Sequence, residues 1–554
     1  MQRGFTRRTF VAGGIASLAA MGLAGCAPTT PTKGSDPAPQ KAEATPQPAG
    51  MQGMATGVQY EYFPPPAGTV AYVSDPVQDD QISSTEEYDL VVCGAGIAGL
   101  TLAAASAQNG LKTALLEKTS SFNVRGHDIG SISCKLVKEA GIEFDEDAYF
   151  NDALKSSLYR CNIDLWKTWI KHNGEAVDWL VDAVKGKATA YLNQPGGATD
   201  VFNGIVTYND QIQFEEGLEA MMQALLELAE ANGAVVRFDT PACQLTQDGD
   251  GKVTGVIAKD KSGSYSKLLA GKGVALCTGG YENNWEMLQK SMRPEDLCVV
   301  AWRLPNTENT GDGHLMGESV GGVMDPYPHV MMRDPGGSVV AKKSSPLLSL
   351  RFPRVNMAGQ RFVNECTAPN YVANAIMRQS GGRDYIVLAG ETLSSAIEST
   401  SYRSYTMSAA KREPDDLAKD AEDIIIQAET IEELAEKTGI DAANLKATFE
   451  RMTELHELGE DLDWGADTGM MMSFAKGPYY AAEEGGANLV TVSGLRVTSQ
   501  SEVINASGLP IPGLYALGNC SGDMFSDSYP HEFSGISHSR CVVFAYLLAK
   551  RLAE

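Results

Sequence analysis

Gly94-x-Gly96-x-x-Gly99, set directly behind the apolar run Tyr88–Cys93, most restricts what this chain can fold into. The run reads as a strand, and each glycine that follows has a mechanical reason. Gly94 permits the tight turn, Gly96 lets backbone N–H groups approach a pyrophosphate, and Gly99 lets the next helix lie close to the strand. That helix is expected from Ile97 to Asn109, with its N-terminus aimed at the phosphates and Gly110 ending it. Leu111–Leu116 is the next strand, and Glu117 at its end is placed to bind ribose hydroxyls. The pattern predicts a Rossmann-like α/β domain that holds a dinucleotide, NAD or FAD.

Such a unit normally opens its domain, yet here nearly ninety residues precede it. Residues 1–26 hold Arg7 and Arg8 ahead of an uncharged run that is short for a membrane span, and they resemble a twin-arginine export signal. Leu23-Ala24-Gly25-Cys26 resembles a lipoprotein processing box, with Cys26 as the lipidated residue. Residues 27–85, rich in Pro, Thr, Ala, Gly and Gln, read as a flexible tether. The more aromatic stretch Tyr60–Val73 is expected to pack on the body. The expected location is outside the cytoplasm, on the outer face of the membrane or in the periplasm.

A chain of 554 residues is long enough for two domains. With 70 acidic against 45 basic residues it carries a net charge of −25, which excludes a nucleic-acid partner in need of a basic face. The 10 cysteines form no C-x-x-C, so c-type haem and zinc-ribbon signatures are absent, no metal site is expected, and buried free thiols are. The segment "FEEGLEAMMQALLELAEANG" places Leu218, Met221, Met222, Leu225 and Leu228 on one helical face, all read as core.

Four further segments decide the cofactor. They are "VALCTGG" (Val274–Gly280), "NTGDGHLMG" (Asn309–Gly317), "GQRFVNE" (Gly359–Glu365) and "GLPIPGLYALGN" (Gly508–Asn519). In this order they resemble motifs of the large FAD-binding family that contains fumarate reductase flavoproteins, L-aspartate oxidase and 3-ketosteroid dehydrogenases. The resemblance implies FAD and a Rossmann-like domain split in sequence, 86–325 and 486–554, with an inserted α+β capping domain at 326–485. It implies a cofactor site formed by Gly94, Ala95, Gly96, Ala98, Gly99, Glu117, Lys118, Gly126, Ala242, Thr278, Gly279, Gly280, Asp312, Gly518, Asn519, Ser534, Gly535 and Ile536. Asn519 is expected at the ribitol or phosphate region, and the Gly535-Ile536 backbone at the pyrimidine edge of the flavin. Where relatives carry a Gly-Gly-x-Ser phosphate loop, this chain departs with Arg125-Gly126-His127-Asp128.

The same resemblance bears on the substrate. Recognition of a dicarboxylate needs cationic donors, and the family positions for them hold Met332, Pro369, Leu489, Val490 and Pro530 instead. Arg303, Arg333, Arg351 and Arg354 are the residues from which a clamp can be rebuilt, against a reading of them as exposed structural arginines. Ser528–Ser537 is similar to the segment in which 3-ketosteroid dehydrogenases carry a carbonyl-polarising tyrosine. That assigns Tyr529 as donor to a substrate carbonyl, assisted by the Phe533 N–H. Tyr281, Tyr327, His329, Tyr402 and His531 are the candidates for handling the α-proton.

The leading expectation is an exported FAD oxidoreductase moving hydride between flavin and a C=C conjugated to a carbonyl of a small-molecule substrate. A separate electron donor or acceptor serves it, and a membrane-bound one suits a lipid-tethered chain. A reductase of unsaturated carboxylates is the alternative, and a binding or scaffold lipoprotein on a vestigial flavin fold is the third.

Overall fold

The computed structural model describes residues 60–200, 205–302, 308–338, 343–349, 351–390, 393, 414–467 and 471–554. The expected signal, Arg303 and Tyr402 lie outside the described residues.

The first sheet has eight strands. Its parallel centre runs Pro510–Ala516, Tyr265–Leu276, Ile82–Cys93, Thr113–Leu116 and Val235–Arg237, neighbour to neighbour. Antiparallel strands Glu502–Ile504, Ala242–Gln247 and Val253–Lys259 extend it. The opening strand starts at Ile82, six residues before the apolar run, because Ile82–Glu87 pairs along Tyr265–Leu269. Its final residues, Leu90–Cys93, are fully enclosed on both faces, as a parallel strand covered by helices must be.

The dinucleotide helix is Ile97–Gln108, and every residue from Ala98 to Ala107 is buried. It has no polar face because it lies between the sheet and two further helices, Gly217–Ala231 and Ile536–Ala553. Alanine at five of those ten positions keeps the approach close, and Leu100 and Leu102 supply bulk that burial rewards with about 1.5–3 kcal/mol each.

The second sheet is organised by one long strand, Tyr479–Thr491. Met331–Ser338, Arg383–Ala389 and Ile425–Ala428 pair with it antiparallel, and Ala301–Trp302 pairs parallel. This sheet therefore reaches outside the interval 326–485 at both ends. The reason is the long strand itself, which runs from the second core, at Tyr479–Ala482, up to the first, at Val490. Helices Ile431–Thr438 and Ala442–Leu458 cover it through Leu434, Leu445 and Phe449.

Two corrections to the sequence reading concern buried charge and the tether. Arg333 and Arg354 are enclosed, at 4% and 1% exposure, and are not surface residues. Arg354 is held by Asp384 at 3.0 Å and by Glu484, and Arg333 by Asp296 and Asn374. Enclosed guanidinium groups need such partners, so neither is spare for a carboxylate clamp.

The aromatic stretch Tyr60–Val73 packs on the body as expected, and the correction is that the tether, expected to run to residue 85, is fixed from Tyr60 onward. Glu61 pairs with Arg383, and Trp302 Nε1 donates to Phe63 O at 3.0 Å, both on the second sheet. Further on, Gly68 N donates to Asn283 O at 3.2 Å, and Val73 N donates to Cys243 O on the first sheet at 3.0 Å. This strap thus spans both sheets. The nine described cysteines are free thiols, and all but Cys161 are buried.

Candidate active site

A long cleft of about 1470 Å³, its open mouth included, runs over the carboxyl ends of the parallel strands. It is long enough for a dinucleotide rather than one ring, and it lies where open α/β sheets bind ligands. The three glycines divide their work as the spacing predicted. Gly94 has φ +103, and a Cβ there would stand 2.5 Å from the Cys277 carbonyl oxygen. A Cβ on Gly99 would collide with Gly94 O. A Cβ on Gly96 would meet nothing within 4 Å. The fold therefore tolerates a side chain at Gly96, and what needs that space is a ligand lying against the helix N-terminus.

Of the predicted positions, Gly94, Gly96, Ala98, Glu117, Lys118, Gly126, Ala242, Thr278, Gly279, Asp312, Gly518, Asn519, Gly535 and Tyr529 line the cleft. Ala95, Gly99, Gly280, Ser534, Ile536 and His531 stand behind the lining. Ala95 N donates to Glu117 Oε2 at 2.7 Å, and Thr119 N and Oγ1 donate to Glu117 Oε1 at 2.9 and 2.8 Å. That network fixes the carboxylate at the end of its strand. Gly280 is packed against Thr491 and Glu282, and Ile536 is core.

Asp312 has an additional task. Its Oδ1 accepts from Ala71 N at 2.7 Å and Tyr72 N at 3.1 Å, and its Oδ2 from Lys118 Nζ at 2.9 Å and Thr310 Oγ1 at 3.0 Å. One carboxylate in the cleft wall thus secures the strap from outside.

At the far end of the cleft, Met332, Leu489, Val490 and Tyr529 come together with Gly535, Ser537 and His538. Gly535 has φ +71 and caps the helix Ile536–Ala553, whose first turn faces the cleft. Tyr529 is 4% exposed. Its ring meets Phe525 and His531 edge-on, each at 5.1 Å between centroids. Burial pushes its hydroxyl well above the usual phenol range, with the Ser537 N–H pulling the other way. Tyr529 is therefore a neutral hydrogen-bond donor at any working pH. The segment carrying it is held by Phe533, which stacks on Tyr208 at 5.3 Å and meets Tyr149 at 4.8 Å. Tyr208 N also donates to Glu532 O at 2.8 Å.

The expected helper donor differs. Phe533 N–H donates to Pro530 O at 3.3 Å inside its own turn, and so does not serve the cleft.

Among the proton-handling candidates, Tyr281 and His329 bond to one another, hydroxyl to Nδ1 at 2.6 Å, while His329 Nε2 donates to Asp325 O at 2.8 Å. Both His329 nitrogens are thereby engaged in a buried structural pair away from the cleft lining. Tyr327 is 57% exposed. His531 lies behind Tyr529 and bonds Asp334 Oδ1 at 2.8 Å.

The sequence reading missed Asp128, Arg125 and His538, which line the cleft, and Met222, read as plain core. Asp128 Oδ1 accepts from Gln213 Nε2 at 2.6 Å, and burial raises its carboxyl. His538 Nδ1 donates to Asp128 O at 2.9 Å, and burial lowers its imidazole, keeping it neutral. The one signal available was the departure at Arg125-Gly126-His127-Asp128 itself.

A dinucleotide cleft with an open glycine at the helix N-terminus, and a buried tyrosine donor at its other end, defines a nucleotide-dependent oxidoreductase. The sequence profile of the family described as "FAD binding domain" matches residues 89–536. The chain belongs to that family, and its cofactor is FAD. It is an FAD-dependent oxidoreductase acting on C=C bonds.

Over 493 residues it is 24% identical to the vinyl phenol reductase of Lactiplantibacillus plantarum, covering 84% of this chain and 95% of the relative. Over 461 residues it is 26% identical to the urocanate reductase of Eggerthella lenta, covering 79% and 70%. A solved 3-ketosteroid Δ1-dehydrogenase from Sterolibacterium denitrificans shares the fold, with a TM-score of 0.68 at 18% identity, covering 84% of this chain and 99% of that one.

Proposed function

We propose that the substrate is an uncharged molecule whose C=C is conjugated to a carbonyl, bound where Met332, Leu489, Val490 and Tyr529 converge. The observation that carries this reading is the chemistry of that end of the cleft. It offers apolar surface and the neutral donor Tyr529, while Lys118 is paired with Asp312 and Arg125 is held to Glu282 through one of its two Nη groups. A carboxylate substrate would have to displace the Lys118 pair or compete for the remaining Arg125 nitrogen. The relative named for vinyl phenol, a substrate with neither a carboxylate nor a carbonyl, agrees with the uncharged part of this reading.

FAD supplies hydride chemistry when bound. The protein's part is to bind, polarise and manage protons. Tyr529 Oη donates to the substrate carbonyl and stabilises the negative charge that develops on it. The apolar side chains exclude water from that contact. The Asp128 carboxyl, whose pKa burial raises, exchanges the proton at the α-carbon, giving it up in one direction and taking it back in the other. Reduction and desaturation use the same groups in opposite order.

The proposal also includes export through Arg7 and Arg8, anchorage through Cys26 and a separate electron carrier, consistent with the composition of residues 1–59. The test of the substrate reading uses the dithionite-reduced protein under anaerobic conditions. Uncharged conjugated ketones should reoxidise it at least about tenfold more efficiently than fumarate or urocanate. The opposite preference overturns the reading in favour of an unsaturated carboxylate.

A further inference from the structure

We infer that Arg125 is the cation that meets the cofactor's pyrophosphate, replacing the small-residue phosphate loop that the sequence lacks at Arg125-Gly126-His127-Asp128. Two long cationic side chains line the cleft, Lys118 and Arg125. The Lys118 ammonium is already committed, to Asp312 Oδ2 at 2.9 Å, Thr310 Oγ1 at 2.9 Å and Thr69 O at 3.5 Å. Arg125 is only half committed. Its Nη1 is held by the Glu282 carboxylate, and its Nη2 is buried with no hydrogen-bond partner. A buried guanidinium nitrogen left without an acceptor is costly, and here it borders a cleft built for an anionic ligand.

The anchor that aims it is rigid. Glu282 also takes Asn309 Nδ2 at 2.5 Å on Oε1, and the Thr491 N–H and hydroxyl at 3.3 Å on Oε2. Asn309 Oδ1 in turn lies 2.9 Å from where a Gly279 Cβ would stand, and Gly279 follows Thr278, which abuts Gly94. A continuous wall therefore leads from the Gly94 turn to Arg125. Guanidinium suits this duty better than ammonium. Its planar fork lets one edge rest on a carboxylate while the other faces a phosphate. The helix N-terminus at Gly96 supplies only partial charge toward a doubly charged pyrophosphate, and Arg125 supplies the remainder.

The test uses the full-length holoprotein, with FAD release followed by flavin fluorescence on dilution. Arg125→Gln should release FAD at least about tenfold faster, with the flavin midpoint potential and visible spectrum unchanged. Arg125→Lys, which keeps the charge and loses the fork, should fall between the two and serves where the glutamine variant is insoluble. ADP should bind the flavin-free protein at least about tenfold more weakly in the glutamine variant, with the lysine variant between, while adenosine binds equally in all three. FAD release and ADP affinity unchanged from wild type in the glutamine variant, or in the lysine variant where the glutamine one is insoluble, overturn the assignment. So does a shifted midpoint potential with unchanged ADP affinity, which would place the guanidinium on the flavin ring.

Discussion

Asp312 Oδ1 accepts the backbone N–H of Ala71 at 2.7 Å, across 241 residues of sequence. The same carboxylate lines the cofactor cleft, so the strap that precedes the first strand is tied to the wall of the site. Hydrogen bonds to a charged acceptor contribute about 1.5–3 kcal/mol each. Asp312→Asn should therefore raise amide hydrogen exchange at Ala71 and Tyr72 by about 10–100-fold. Unchanged protection at both amides would show that the strap is held by its other contacts, at Glu61, Phe63 and Gly68.

Gly96→Val tests whether the open space at the helix N-terminus belongs to the cofactor. No protein atom lies within 4 Å of a Cβ placed there, so secondary structure and thermal unfolding of the flavin-free protein should match wild type. The purified variant should lose most of its flavin, because the branched side chain fills the place of the pyrophosphate. Full flavin occupancy would count against the placement of the phosphates.

His314 sets an acid limb on stability. It is fully enclosed, its Nε2 donates to Asn519 O at 3.3 Å, and burial lowers its pKa to about 4 from an ordinary 6.5. A depressed folded-state pKa means that its contribution is complete above about 6.5 and is lost as pH falls toward 4. Asp325 acts in the opposite sense over much of that window, since burial and the Asp523 charge raise its carboxyl to about 7. Its contribution is lost as pH rises. His314→Gln keeps a donor for Asn519 O and removes the titration. Denaturant midpoints measured from pH 4 to 7 should fall less steeply on the acid side in this variant. Parallel curves for the two proteins would exclude His314 as the source.

The parts of the site that were legible in the sequence are those made by neighbours in sequence. Gly94, Gly96, Gly99 and Glu117 lie within one strand–turn–helix–strand unit, and their spacing alone dictates the turn, the close helix and an acid at the end of the second strand. Tyr529 was readable only through the resemblance of Ser528–Ser537 to the 3-ketosteroid dehydrogenase segment, and it lines the cleft. Asp128 and His538 were not, because they meet across 410 residues, and no periodicity records such a meeting. Tyr281 and His329 had the right chemistry for a proton relay, yet burial set them against each other. The aromatic stretch Tyr60–Val73 was read as packed, but the extent of the tether was misjudged for a related reason. Composition shows that residues 60–81 build no core of their own, but it does not show that Asp312, Asn283 and Arg383 wait to receive their backbone and side chains.

The central claim is that Tyr529 polarises an uncharged conjugated carbonyl. The most direct test is rapid mixing of reduced Tyr529→Phe and reduced wild-type protein with the best ketone from the substrate screen, following flavin reoxidation in a single turnover. The substitution keeps the ring between Phe525 and His531, so flavin content should be unchanged. Loss of a donor at a developing oxyanion costs about 2.7–4 kcal/mol, and reoxidation should slow by about a hundredfold or more. Reoxidation of the variant within about twofold of wild type would contradict the account and return the site to a reductase whose substrate is held by charge.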